Sequence, residues 1–202
     1  DAREGGKLLD VACGPGFLLQ AAVKKGLKTS GIDISPELIE IARKNSPESE
    51  LTAGPGELLP WGEGSFDYVA CLGSLEHFMH PDRGAAEMAR VLKPQGKAAI
   101  LLPNSYFLEA VVNALVKGEG PTQNQDMERF AAKNEWKMLL EDAGFKVEKI
   151  YRYNEFTELF VPGTWKLKSL KKYFRFLLRQ CYPFNLSKNF IYVCTVRLCH
   201  NR

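Results

Sequence analysis

The chain has 202 residues, 45% hydrophobic and 25% charged, enough for one domain with a full core and too short for two comfortable ones. Its 27 Lys and Arg against 24 Asp and Glu leave a net charge of only +3, which argues against a general polyanion binder. The 5 cysteines form no Cys-x-x-Cys pair, which speaks against a zinc knuckle or a disulfide framework and fits a reducing, cytoplasmic setting. No apolar run reaches the roughly 18 residues that a membrane span needs.

The chain opens almost at once on an apolar run, Lys7–Ala12, which predicts strand one and an absent upstream segment. A helix is expected from Phe17 to Lys25, ended by Gly26, and strand two from Lys28 to Ile34. Ser35-Pro36-Glu37 is a helix start: Ser caps, Pro suits the first turn, and Glu meets the positive end of the dipole. Leu51–Ala53 reads as strand three and Phe66–Gly73 as strand four, apolar enough to be buried on both faces. Asp82–Leu92 is a predicted helix, broken by Lys93-Pro94-Gln95-Gly96 before strand five at Lys97–Pro103. A helix over Asp126–Ala143 should end at Gly144, with strand six at Phe145–Tyr153 and strand seven at Asn189–Arg197. Strands alternating with helices predict a mostly parallel sheet covered on both sides. Two segments interrupt the alternation, 104–125 and 154–188. If strand six is parallel to the first five, both leave from the carboxyl edge of the sheet, where open α/β folds bind ligands.

Chemistry concentrates in the first turn, Asp10-Val11-Ala12-Cys13-Gly14-Pro15-Gly16-Phe17. Gly14 and Gly16 let backbone approach a ligand, and the helix start beyond them suits an anionic group. Asp33, ending strand two, can take both hydroxyls of a ribose. A dinucleotide fingerprint would want glycine where Leu19 stands. Asp10, late in strand one, either bonds loop amides or meets a cationic group on the ligand, such as the ammonium of S-adenosylmethionine.

The stretch Asp10 to Gly16 resembles motif I of class I methyltransferases, with Ala12 in the first glycine position. Gly31-Ile32-Asp33-Ile34-Ser35 resembles motif II. Glu57-Leu58-Leu59-Pro60-Trp61 with Ser65-Phe66-Asp67-Tyr68-Val69, then Cys71-Leu72-Gly73-Ser74-Leu75-Glu76-His77, and then Arg90-Val91-Leu92-Lys93-Pro94-Gln95-Gly96 are similar to later family segments in the same order. Together they look like the branch that includes the ubiquinone and menaquinone biosynthesis C-methyltransferases. The resemblance implies a Rossmann-like three-layer α/β sandwich, with a seven-stranded, mostly parallel sheet whose last strand is antiparallel. Residues 1–202 then form one domain, with a cofactor-binding half at 1–103 and an acceptor-side half at 104–202. The cofactor implied is S-adenosylmethionine, held by Asp10, Ala12, Cys13, Gly14, Gly16, Phe17, Asp33, Ile34, Gly56, Glu57, Leu72 and Gly73. Pro55-Gly56 replaces the family's Asp-Ala pair, so adenine would rest on backbone groups of Gly56 and Glu57 with Ile34 and Leu58 packed against it.

His77 is the candidate general base, the alternative being a loop histidine bonded to backbone. Glu76, His77, His80 and Asp82 match no common zinc spacing, and a cis-proline-like turn at His80-Pro81 would scatter them, so no metal is expected. The Asp/Asn-Pro-Pro-Tyr/Phe motif of base amino-methyltransferases is lacking after strand four, and no nucleic-acid partner is expected. Trp165–Tyr182 carries Lys166, Lys168, Lys171, Lys172, Arg175 and Arg179 with no acid, and its apolar residues recur at helical spacing. Such a basic amphipathic helix is either a lid on the sheet edge or a contact to a membrane surface or anionic ligand. The acceptor expected is a small molecule, a sugar or lipid-linked intermediate among the candidates. The alternative is a catalytically silent cofactor-binding module that serves a partner.

Overall fold

The computed structural model describes residues 2–120, 129–153 and 183–197. The basic 165–182 segment, and with it the expected lid or membrane contact, lies outside them. Seven strands form one sheet: β1 (Lys7–Val11), β2 (Lys28–Asp33), β3 (Glu50–Ala53), β4 (Phe66–Leu72), β5 (Leu92–Pro103), β6 (Phe145–Tyr153) and β7 (Asn189–Val196). Their order is β3-β2-β1-β4-β5-β7-β6. All pairs are parallel except those of β7, which runs antiparallel to both β5 and β6. β6 is therefore parallel to the first five strands, and the end of β6 at Tyr153 and the start of β7 at Asn189 both lie at the carboxyl edge. The strand order reverses between β1 and β4, which opens a crevice at that edge.

The helices are α1 (Phe17–Val23), α2 (Pro36–Asn45), α3 (Pro81–Val91), α4 (Leu108–Lys117) and α5 (Lys133–Asp142). Ser35 caps α2 as the sequence implies, its hydroxyl accepting from Leu38 N–H at 3.2 Å, with Pro36 opening the helix. Leu19 and Ile39 of α1 and α2 pack on one face of the sheet. Ala85, Met88 and Ala89 of α3 with Trp136 and Leu140 of α5 pack on the other, against Val69, Ile100 and Tyr192. The α/β/α sandwich is thus as expected.

Several boundaries differ. α5 begins at Lys133 rather than Asp126: Ala132 stands outside the helix, with its N–H bonded to Glu135, and Ala131 bridges Asn104. Lys93–Gly96 does not separate α3 from a strand. Extended backbone starts at Leu92, paired with Phe66, and the register jumps to Tyr68 opposite Lys97, so the four residues bulge from a longer β5. β4 is not buried on both faces. Asp67 and Tyr68 are half-buried and Leu72 is exposed, while Ala70 is buried against Leu8 and Ala22 of α1. No described peptide is cis, and Pro81 is the first residue of α3.

At the carboxyl edge, two loops are fastened by identifiable contacts. Asn104, 1% exposed, donates through Nδ2 to Asn185 O and Ser187 O, both at 2.8 Å, and accepts from Tyr106 N–H. It ties the end of β5 to the entry of β7. The Phe78 ring fills a slot between Gly56 and Gly84, where an added Cβ would lie 2.4 Å and 2.5 Å from it. Gly84→Ala should therefore cost about 1–3 kcal/mol of unfolding free energy in urea, despite alanine's better helix propensity. Combined with Phe78→Ala, it should add almost nothing further. Additive losses in the double variant would show that the slot is not what Gly84 serves.

Candidate cofactor cleft

The crevice is built from the carboxyl ends of β1, β2 and β4. Asp10 sits on β1 opposite Gly31 of β2 and Ala70 of β4. It is 4% exposed, and no described residue donates a hydrogen bond to its carboxylate. Burial first, and then the charge of Asp33, push its carboxyl up to about 7. Of the two sequence readings, bonding of loop amides fails, since those amides find another carboxylate. Gly14 N–H donates to Asp33 Oδ2 at 2.8 Å, and Ser35 N–H donates to Oδ1 at 3.0 Å.

Asp33 thus joins the turn after β1 to the start of α2. Each of its oxygens keeps a further acceptor direction, enough for ribose hydroxyls. Ala12 has φ 59, a left-handed conformation that costs a residue with a Cβ about 1–3 kcal/mol. This is the position where the resembled motif carries glycine. Gly16 has φ 80 and caps α1 without a side-chain bond, and a Cβ there would lie 3.0 Å from the Ala42 Cβ. Close packing of α1 on α2 needs that glycine. The Cys13 thiol is 7% exposed and pushed up to about 12 by burial and by Asp10, so it is an inert wall.

The other sequence-assigned residues come to the same edge. Phe17, Ile34, Leu58 and Leu72 are exposed by 68%, 77%, 72% and 43%, an apolar set at a polar crevice that suits an aromatic base. Gly73 follows β4 with φ 70. Gly56 and Glu57 hold structural duties there: Gly56 makes room for Phe78, and Glu57 Oε1 accepts from His80 N–H at 3.4 Å. His77 ends a short 3-10 turn, Leu75–His77, with its Nε2 3.9 Å from Glu76 Oε1.

Two further residues carry no assignment from sequence. Glu76, the middle residue of this turn, is 5% exposed, and in the sequence it is weighed only as part of a metal cluster. Arg129 donates to the carbonyls of Phe78 and Met79, while its own N–H donates to Glu76 O at 3.2 Å. It pins the His77 loop from a distant stretch, and nothing in its sequence neighbourhood signals that. A cavity of about 750 Å³ lies at the opposite edge, lined by residues such as Arg3, Asp67, Lys93 and Lys97. It holds no buried unpartnered acid and lies away from the carboxyl ends of the strands.

The donor set fits S-adenosylmethionine: an unpartnered buried carboxylate for an ammonium, a second acid for a ribose, and apolar side chains for a purine. Keeping Asp10 unpartnered has a cost. The unfolded chain gives up this proton near 3.8, whereas the folded protein holds it until about 7. Stability of the ligand-free protein should therefore fall as pH rises between those values, by about 1.4 kcal/mol for each pH unit crossed, and level off above them. Asp10→Asn should remove that slope, so thermal melting of the variant exceeds wild type above neutrality and converges with it in acid. Parallel profiles would contradict the assignment.

A family model described as a methyltransferase domain matches residues 9–100. The demethylmenaquinone methyltransferase of Chlorobaculum parvum is 32% identical over 163 residues, covering 72% of this chain and 68% of that protein. The ubiquinone biosynthesis O-methyltransferase of Xanthomonas oryzae pv. oryzae is 36% identical over 118 residues, and the chain spans 49% of its length. The crystal structure of a SAM-dependent methyltransferase from Methanosarcina mazei shares the fold, with a TM-score of 0.69 at 18% identity over 98% of this chain and 95% of that one. With the relatives and the fold in agreement, the chain belongs to the class I S-adenosylmethionine-dependent methyltransferases.

Proposed function

We infer that the protein methylates a small aromatic acceptor of the quinone-precursor class, with His77 as general base. The observation that carries the reading is the buried, unpartnered Asp10 beside the Asp33-locked turn, which fits a cationic amino-acid nucleoside. Two relatives are named for demethylmenaquinone and for ubiquinone biosynthesis, which supports a quinone precursor ahead of a sugar or lipid-linked acceptor. The exposed apolar side chains of α4, among them Val112, Leu115 and Val116, follow β5 at the same edge and suit a partly apolar acceptor.

S-adenosylmethionine, when bound, supplies a methyl group on an electron-poor sulfonium. Asp10 pairs with the ammonium, Asp33 accepts from the ribose hydroxyls, and Ile34 and Leu58 pack on the adenine. The turn at Gly73–His77 would orient the acceptor beside the cofactor cleft, and orientation of this kind can supply several kcal/mol of the barrier reduction. His77 takes the proton that the acceptor's nucleophilic atom loses, and Glu76, 3.9 Å away, orients and stabilises the imidazolium. Arg129 keeps the His77 loop in register by holding its carbonyls.

Transfer of radiolabelled methyl to catechol and demethylated quinone analogues tests this directly. His77→Ala should lower kcat by about 10²–10⁴-fold while leaving the affinity for S-adenosylhomocysteine unchanged. An unaltered kcat would remove His77 from the chemistry. Cofactor binding without turnover on any acceptor would leave the silent-module alternative.

A further inference from the structure

Asp10 has one acid and two neutral thiols as near neighbours. Asp33 approaches from β2, Cys13 from the turn after β1 and Cys71 from β4, with Glu76 beyond Cys71 and His77 beside Glu76. Asp10 as a residue is 4% exposed, and its carboxylate receives no hydrogen bond from any described residue. A buried carboxyl with an acidic neighbour and no donor keeps its proton until a cation arrives. The ligand class already inferred carries such a cation on its amino-acid end.

We propose that cofactor binding at this cleft is coupled to proton release from Asp10: the ligand's ammonium displaces the proton, and the neutral carboxylic acid becomes the carboxylate of an ion pair. The exchange balances in charge, one proton leaving to solvent for one fixed positive charge gained. It rests on the cofactor reading above and adds a regulation of the same site. Burial and Asp33 place the free carboxyl at about 7, so the coupling acts in the neutral range. The thiols do not compete, because burial pushes Cys13 up to about 12 and Cys71 well above the usual thiol range. Affinity should rise with pH up to the ionisation of Asp10, then fall again at higher pH once the ligand's own α-amino group deprotonates.

The test is calorimetric titration of S-adenosylhomocysteine into the chain, in pairs of buffers with different ionisation enthalpies. At about pH 6, wild type should release close to one proton per ligand bound, and Kd should weaken about tenfold for each unit below the Asp10 ionisation. Asp10→Asn should release none and bind with a Kd flat between about pH 5.5 and 7.5. His77→Gln should still release the proton. Loss of release in His77→Gln with release retained in Asp10→Asn would move the proton to the imidazole and overturn the proposal. Wild-type binding with no proton release and no pH dependence would overturn the coupling while sparing the cofactor reading. No binding at any pH would overturn both.

Discussion

The carboxylate of Asp33 holds the cleft together. By accepting from Gly14 N–H and Ser35 N–H at once, it fixes the turn after β1 against the start of α2. These are the two backbone stretches that must face one ligand from opposite sides. Together with the Cys13 N–H, which donates to Ile32 O at 3.0 Å, the Asp33 bonds hold the turn and its left-handed residues against β2. The strain at Ala12 is carried by the same arrangement. A single side chain therefore links strand geometry, turn conformation and the acceptor set offered to a ribose.

Because Asp33 satisfies the amides, Asp10 need not. The two acids on neighbouring strands divide the work, one structural and receptive, the other buried and unpartnered. The ligand-free fold is less stable for it, in the manner expected of groups kept ready for a charge they do not yet meet. The acceptor side is organised differently. Asn104 fastens the end of β5 to the entry of β7, Trp136 Nε1 donates to Pro103 O at 2.8 Å, and Arg129 holds the His77 loop. These contacts join stretches far apart in the chain at the edge where the cofactor cleft opens.

Local chemistry makes much of this legible in the sequence. The Asp10–Phe17 turn, the Ser35-Pro36 helix start and the strand at Phe145–Tyr153 are each signalled by residues within a few positions. What stays hidden is long-range. Nothing near Gly56 in the chain shows that the Phe78 ring packs where its Cβ would lie, a contact between distant positions that no local pattern carries. Lys93–Gly96 reads as a turn because Pro and Gly punctuate it, yet the pairing of Leu92 and Lys97 with β4 on either side makes it a bulge within one strand. The start of α5 escapes local reading because Glu135 serves as its capping partner at Ala132, where no Ser, Thr, Asp or Asn marks the end. Arg129 carries no signal, since its role depends on where an excursion returns.

Hydrogen–deuterium exchange with and without S-adenosylhomocysteine tests the location of the cofactor cleft most directly. The amides at residues 12–16, 33–35 and 72–78 should gain protection, with those lining the cavity around Arg3, Asp67, Lys93 and Lys97 unchanged. Protection centred on that opposite-edge cavity, with the Asp10–Asp33 crevice unaffected, would contradict a cofactor site at the carboxyl edge.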